Sequence, residues 1–357
     1  MLYYQGWMWL PYAESQVIAP LDEFINADSY QDKWPTLEGY KFMTEWKGAK
    51  YMSATDTGPL VIYYNKDVFD KKGVAYPKEG WTWDDYKSMV EQLSFEEEGI
   101  KYYGWAQAAG WNGGYGRVIH FMRRNGYIEW DQIIEPKKAG WVNDDVISAL
   151  DFCVEGSIAK EWSPSPEVIQ GGGVGVDTGR CAMVLEGPWF MPRCWGELST
   201  LAKETGGINY DVIHPPYGSN GKNNAFAHVH GHCMASASTK KQEAWTLLKY
   251  ILDTEGQTFI ANGGRMPGHP DNIDSLWAPI ATKKYNFTNS KAFSDGMREG
   301  STPMVLGEGG EFNAYGSGPL QVLWDKLLGN QVPTQQAVEE ANVELQASLD
   351  RYWAERA

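Results

Sequence analysis

Pro59-Leu60-Val61-Ile62-Tyr63-Tyr64, followed at once by Asn65-Lys66-Asp67, is the stretch on which the fold turns. Apolar and β-favouring residues closed by a polar turn read as a short buried strand. Working outward, Thr82 is followed three residues later by Asp85, and Tyr86, Met89, Val90 and Leu93 then fall at i, i+3, i+4 and i+7. That is an N-terminal capping pattern and one apolar helix face. Arg180-Cys181-Ala182-Met183-Val184-Leu185 predicts a second buried strand. It ends at Glu186-Gly187-Pro188-Trp189, where glycine turns the chain and proline enters the first turn of a helix. Residues 241–262 read as one helix with Ala244, Leu247, Leu248 and Ile251 inward, stopped by Gly263-Gly264. Pro333-Thr334 opens a last helix with Val338, Ala341 and Leu345 on its inner face, while Gly171-Gly172-Gly173, Gly206-Gly207 and Gly309-Gly310 are loops. Strands alternating with helices predict an α/β fold.

A chain of 357 residues exceeds what one core usually organises, so two lobes are expected. A net charge of −15 repels phosphate backbones and anionic lipid, which sets nucleic acid and membrane surfaces aside as partners. No run approaches the roughly 20 apolar residues of a membrane span, and the opening residues, Met1 to Trp7, lack the basic-then-apolar pattern of a secretory signal. Cys153, Cys181, Cys194 and Cys233 have no metal-ligand spacing; a Cys181–Cys194 disulfide and four buried thiols both fit. The 17 tryptophans beside 20 tyrosines exceed what a core readily buries, and suggest flat platforms facing a ligand.

Asp56, among Ser53, Ala54, Thr55, Thr57 and Gly58 at a strand mouth, is either a turn cap or an acceptor for two sugar hydroxyls. Gly110-Trp111-Asn112-Gly113-Gly114-Tyr115 pairs a stacking ring with an amide, a combination suited to the apolar face and hydroxyls of a pyranose. Trp189 is a similar candidate, with core packing the alternative for each ring. His228, His230 and His232 alternate along one strand and so point the same way. Neighbours on one strand face stand about 7 Å apart, too far to close on a metal unaided, so histidines lining a polar cleft are the expectation and no metal or cofactor is called for. No hydrolase elbow, zinc-protease helix or phosphate loop is present. Asp56 with Glu186 is the carboxylate pair on which an alternative, a glycosidase, would rest.

Several segments in register resemble the maltose-binding-protein-like family 1 of extracellular solute-binding proteins. They are Tyr12-Ala13-Glu14-Ser15-Gln16-Val17-Ile18-Ala19-Pro20-Leu21-Asp22, then Leu60-Val61-Ile62-Tyr63-Tyr64-Asn65-Lys66-Asp67 with Gly80-Trp81-Thr82-Trp83-Asp84. Gly179 to Trp189 and residues 240–264 with Arg265-Met266-Pro267 continue the match, which covers nearly all of the chain. The resemblance implies a two-lobed periplasmic-binding-protein fold of type II with a ligand cleft at the hinge. One lobe would hold residues 1–56 and 230–300, the other 57–228 and 301–357. It implies a non-enzymatic binding component of a bacterial ATP-driven importer that captures a sugar or oligosaccharide and hands it to membrane permease subunits, as a monomer that is periplasmic or extracellular and membrane-associated. By the same analogy Trp7, Trp9 and Tyr12 are early aromatic contacts, Trp111 and Asn112 belong to a second-lobe loop, and Trp189 stacks on the sugar. Asp56 and His230 lie beside the cleft on hinge strands, Arg265 precedes the family proline, and Tyr315 belongs to a late loop. The chain matches a form shortened at its N-terminus, and the His-x-His-x-His-Cys strand departs from the usual small, apolar family stretch.

Overall fold

The computed structural model describes residues 1–6, 8–35, 38–106, 115–154, 156, 159–165, 167–168, 178–192, 208–222, 227–298 and 318–355. Its strands are β1 (Leu2–Gln5), β2 (Ile18–Ala19), β3 (Glu45–Trp46), β4 (Ala49–Lys50), β5 (Met52–Pro59), β6 (Val61–Asn65), β7 (Phe95–Glu97), β8 (Ile100–Tyr102), β9 (Met183–Glu186), β10 (Tyr210–Ile213), β11 (Ala227–Ala235) and β12 (Met266–Pro267). Two sheets organise them. The first runs β1-β11-β5-β12 with β2 also on β11, the second β10-β6-β9, and β3-β4 and β7-β8 are small hairpins.

The predicted strand 59–64 is real but starts later. Pro59 ends β5 in the first sheet, Leu60 crosses over, and Val61 begins β6 in the second. Proline has no N–H to continue a ladder, so the change of sheet falls where the donor is missing. β11 leads away from the same junction, with Ala227 opposite Pro59. At that crossing Gly58 is packed so closely that a Cβ would lie 2.6 Å from the Pro188 ring. One apolar cluster runs unbroken from Met52 and Ala54 through Leu60, Val61 and Tyr63 to Val184 and Leu185, so the sheets share a core.

The helix Trp83–Gln92 carries the expected capping box, Thr82 accepting from the Asp85 backbone and Asp85 from that of Thr82, with Tyr86, Val90 and Leu93 buried. The single helix expected over 241–262 is two, Lys241–Leu252 and Thr254–Asn262. Asp253 breaks it, its carboxylate accepting the Gly256 N–H at 3.0 Å as a fresh N-cap. The buried residues of the first piece are Trp245, Leu248 and Leu252, while Leu247 is exposed. The last helix, Thr334–Ala354, follows Pro333 as read. The three glycine-rich loops lie outside the described residues, as does Cys194; Cys153, Cys181 and Cys233 are buried.

The tryptophan surplus is largely structural, correcting the expectation of ligand platforms. Trp9, Trp105, Trp141, Trp245 and Trp277 are completely buried. The second sheet's side of the molecule also encloses an ion pair, Arg123 donating to both oxygens of Glu129 at 2.8 and 2.6 Å with both side chains inaccessible. A buried pair of this kind costs little when both members go and much when one does, because the survivor keeps its charge without its counter-ion. Arg123→Met is therefore expected to cost about 3–5 kcal/mol in urea unfolding, and Arg123→Met with Glu129→Leu to recover most of that loss.

Candidate functional site

Strand register decides which side chains meet. In β11, His228, His230 and His232 share one face. β1 pairs antiparallel with β11 so that Tyr3 lies opposite His232, and β5 so that Asp56 lies opposite His230. The β5–β11 ladder is irregular at His230/Gly231: Gly231 faces Ala54 and His230 faces Asp56, leaving Thr55 as the extra residue of a bulge. Asp56 thus keeps the register of Thr57, Gly58 and Pro59 and shares the face of His230, while the bulge shifts the pairing from Ala54 to Met52 by one residue. On the other side of β5, Pro267 of β12 lies opposite Asp56, which puts Arg265, two residues earlier, on that face as well.

The result is a carboxylate with every oxygen engaged. Asp56, 3% exposed, accepts from the Tyr3 hydroxyl at 2.6 Å on Oδ2, and its Oδ1 lies 3.1 Å from both His230 Nδ1 and Arg265 Nη1. Arg265 Nη1 is also 3.3 Å from His230 Nδ1. The bulge residue Thr55 holds His232 by a 2.7 Å contact between Oγ1 and Nδ1. Burial alone would raise the Asp56 pKa, but the hydrogen bond and charge of His230, the charge of Arg265 and the Tyr3 hydrogen bond outweigh it and hold the carboxyl below its ordinary value of 3.8. Burial likewise raises the Tyr3 phenol, helped by the charge and hydrogen bond of Asp56, and lowers the His232 imidazole against the opposing pull of Asp56.

The cluster reaches the second sheet through rings. His230 stacks on His228 with centroids 4.3 Å apart, and His228 meets Trp189 at 4.6 Å. Trp189 Nε1 donates to Glu186 Oε2 at 2.7 Å, and that oxygen also accepts the Gly187 N–H at 3.2 Å. Gly187 is indispensable to this pose, since a Cβ there would stand 2.1 Å from the indole. Tyr3 lies edge-on to His230 and 5.0 Å from His232, completing the aromatic wall. Among the described residues no group of three or more His, Cys, Asp or Glu is arranged to hold a metal. Asp56 and Glu186, the pair on which a glycosidase would depend, are both committed to protein hydrogen bonds.

Of the residues expected at a site, Asp56, Trp189, His230 and Arg265 are thus joined by contacts. Trp9 is not among them. Its ring has no exposed surface, donates to the Met43 carbonyl at 2.6 Å and stacks on Tyr51, so it packs the core and presents nothing to a ligand. Tyr12 is exposed and stacks on Tyr4 at 4.8 Å, without a described contact to the cluster. Trp7, Trp111, Asn112 and Tyr315 lie outside the described residues. Tyr3 was missed because its partnership with Asp56 spans 53 residues and depends on an edge-strand pairing that no local pattern announces. A separate cavity of about 920 Å³ lies between the helices Gly318–Leu328 and Thr334–Ala354, and among the described residues its walls carry no aromatic ring.

Comparison with solved structures defines the class: a two-lobed α/β solute-binding fold. The chain superposes on an ABC substrate-binding protein of Listeria monocytogenes in complex with cycloalternan with a TM-score of 0.79, at 18% identity, covering 98% of this chain and 84% of that one. A solute-binding protein of Agrobacterium vitis with bound D-mannitol gives 0.71 at 17% identity over 98% and 84%, and maltose-bound MalE3 of T. maritima 0.72 at 17% over 97% and 83%. Residues 6–284 match the bacterial extracellular solute-binding protein family, and the chain belongs to that family. A binding protein of Brucella abortus is 22% identical over 270 residues, which cover 73% of this chain but only 61% of that relative. Among the described residues no helix is long and apolar enough to cross a membrane.

A folded-state pKa depressed below the unfolded one stabilises the protein above the unfolded value and stops doing so as pH falls through the folded value. Asp56→Asn is accordingly expected to lower stability at pH 7 by about 2 kcal/mol, three charge-assisted hydrogen bonds being weakened. The gap between wild type and variant should narrow as pH drops from about 5 to below about 3, as checked by urea titrations across that range.

Proposed function

We propose that this chain is the substrate-binding component of an ATP-driven importer, which captures a sugar or oligosaccharide between two lobes and delivers it to membrane permease subunits. The single observation that carries the reading is the unbroken line of contacts Arg265–Asp56–His230–His228–Trp189–Glu186, which runs from the first sheet to the second. A ligand seated against it touches both halves at once. The halves are residues 1–56 with 230–300 and 57–228 with 301–357. A ligand bridging them favours the closed arrangement by the difference in its affinity for the closed and open states. Trp189 supplies the stacking face, and His230, Arg265 and the Asp56-anchored Tyr3 supply polar selectivity. Trp7, Tyr12, Trp111, Asn112 and Tyr315 complete the contacts. The cycloalternan and maltose held by the structural relatives support a saccharide as cargo, and the extracellular character of the family supports a periplasmic or cell-surface location.

A panel of mono-, di- and trisaccharides followed by tryptophan fluorescence and calorimetry tests this directly. At least one sugar should bind stoichiometrically with no new reducing ends, and a panel that gives neither heat nor fluorescence change removes the proposal. For a sugar that binds, Trp189→Ala is expected to weaken affinity tenfold or more, about 1.4 kcal/mol, in a variant that still unfolds cooperatively.

A further inference from the structure

The charges at the candidate site are unequally presented. Asp56 and Glu186 are buried, at 3% and 2% exposure, and their oxygens already accept from Tyr3, His230, Arg265, Trp189 and the Gly187 backbone. Arg265 is the reverse case. Its side chain is 45% exposed, only Nη1 is engaged, and among the described residues Nε and Nη2 meet no partner. The arginine is also held in place rather than waving in solvent. It follows Gly264, whose backbone at φ +87° packs against Pro192 so closely that a Cβ would lie 2.8 Å from its ring, so the turn bearing Arg265 abuts the segment that carries Trp189. Beside it stand the half-exposed Tyr3, whose hydroxyl is turned to Asp56, and His232, whose imidazole burial keeps toward the neutral form. What this face offers a ligand is a pre-oriented guanidinium fork beside aromatic rings, with its own carboxylates out of reach.

We propose that Arg265 reads a carboxylate on the bound saccharide, so that the preferred cargo contains a uronic acid. The inference rests on the saccharide reading above and narrows it. A guanidinium presents paired N–H donors at the spacing of carboxylate oxygens, and with Nη1 given to Asp56 the exposed Nε–Nη2 edge is the pair left to meet one. Asp56 is then a positioning residue, its carboxylate orienting the arginine and His230 instead of accepting ligand hydroxyls. The net charge of −15 does not oppose this at contact range, because at physiological salt distant carboxylates are screened beyond about 8 Å.

The test is calorimetry of the full chain against matched pairs: neutral mono-, di- and trisaccharides, their uronic-acid counterparts, and glucose 6-phosphate. The acid member should bind at least tenfold more tightly than its neutral partner. Arg265→Gln should erase that preference, the acid and its neutral partner then binding within about threefold of each other, and Arg265→Lys should keep part of it. A cooperative urea transition shows that each variant is folded. Neutral sugars binding as well as or better than the acids, tighter binding of the phosphate ester, or a preference that survives Arg265→Gln each overturn the inference and leave saccharide capture standing. Failure of every sugar, neutral and acidic, overturns the saccharide reading and this inference with it.

Discussion

The antiparallel pairing of β5 with β11 is the constraint on which everything else leans. These two strands carry the chain between the sheets, β5 leaving through Pro59 and Leu60 and β11 returning at Ala227. Because they are neighbours, a residue of one is fixed against a residue of the other to within the tolerance of a hydrogen-bond ladder. Asp56 and His230 meet there with no loop needed to place either, which is how a binding group becomes rigid at low entropic cost. The extra residue Thr55 beside them uses its own hydroxyl to steady His232.

Around that pair, polar groups satisfy one another before any ligand arrives. Asp56 neutralises Arg265 and orients His230, Tyr3 closes the second oxygen, and Glu186 pins the indole of Trp189. A buried carboxylate is tolerable only because its donors are present, and the donors are ordered only because the carboxylate is there. The Arg123–Glu129 pair follows the same logic elsewhere in the chain, each buried member compensating the other.

Much of this was legible in the sequence where periodicity or capping chemistry speaks locally. The Thr82–Asp85 box, the buried strands near residues 61–65 and 183–186, and the glycine-proline turn before Trp189 are all found as read. The alternation of three histidines announced a shared face, though not that Asp56 of the partner strand would lie opposite it. Asp253 was hidden because a capping aspartate inside an otherwise helical pattern looks like one more polar position. Trp9 and Trp189 could not be told apart as sequence, since both are indoles near turns. Only the three-dimensional neighbours, a carbonyl with a covering Tyr51 for one and a histidine for the other, separate core from candidate site.

Gly58 against Pro188 carries an implication of its own. Where main chain and a proline ring touch with no side chain between them, the angle between the proposed halves would be set by backbone thickness. A single methyl there would act as a wedge, holding the halves ajar. Apparent affinity falls in proportion to the share of molecules able to close. The tightness of capture would thus be adjustable from a position that never meets the cargo, by geometry at the fulcrum instead of chemistry at the jaws.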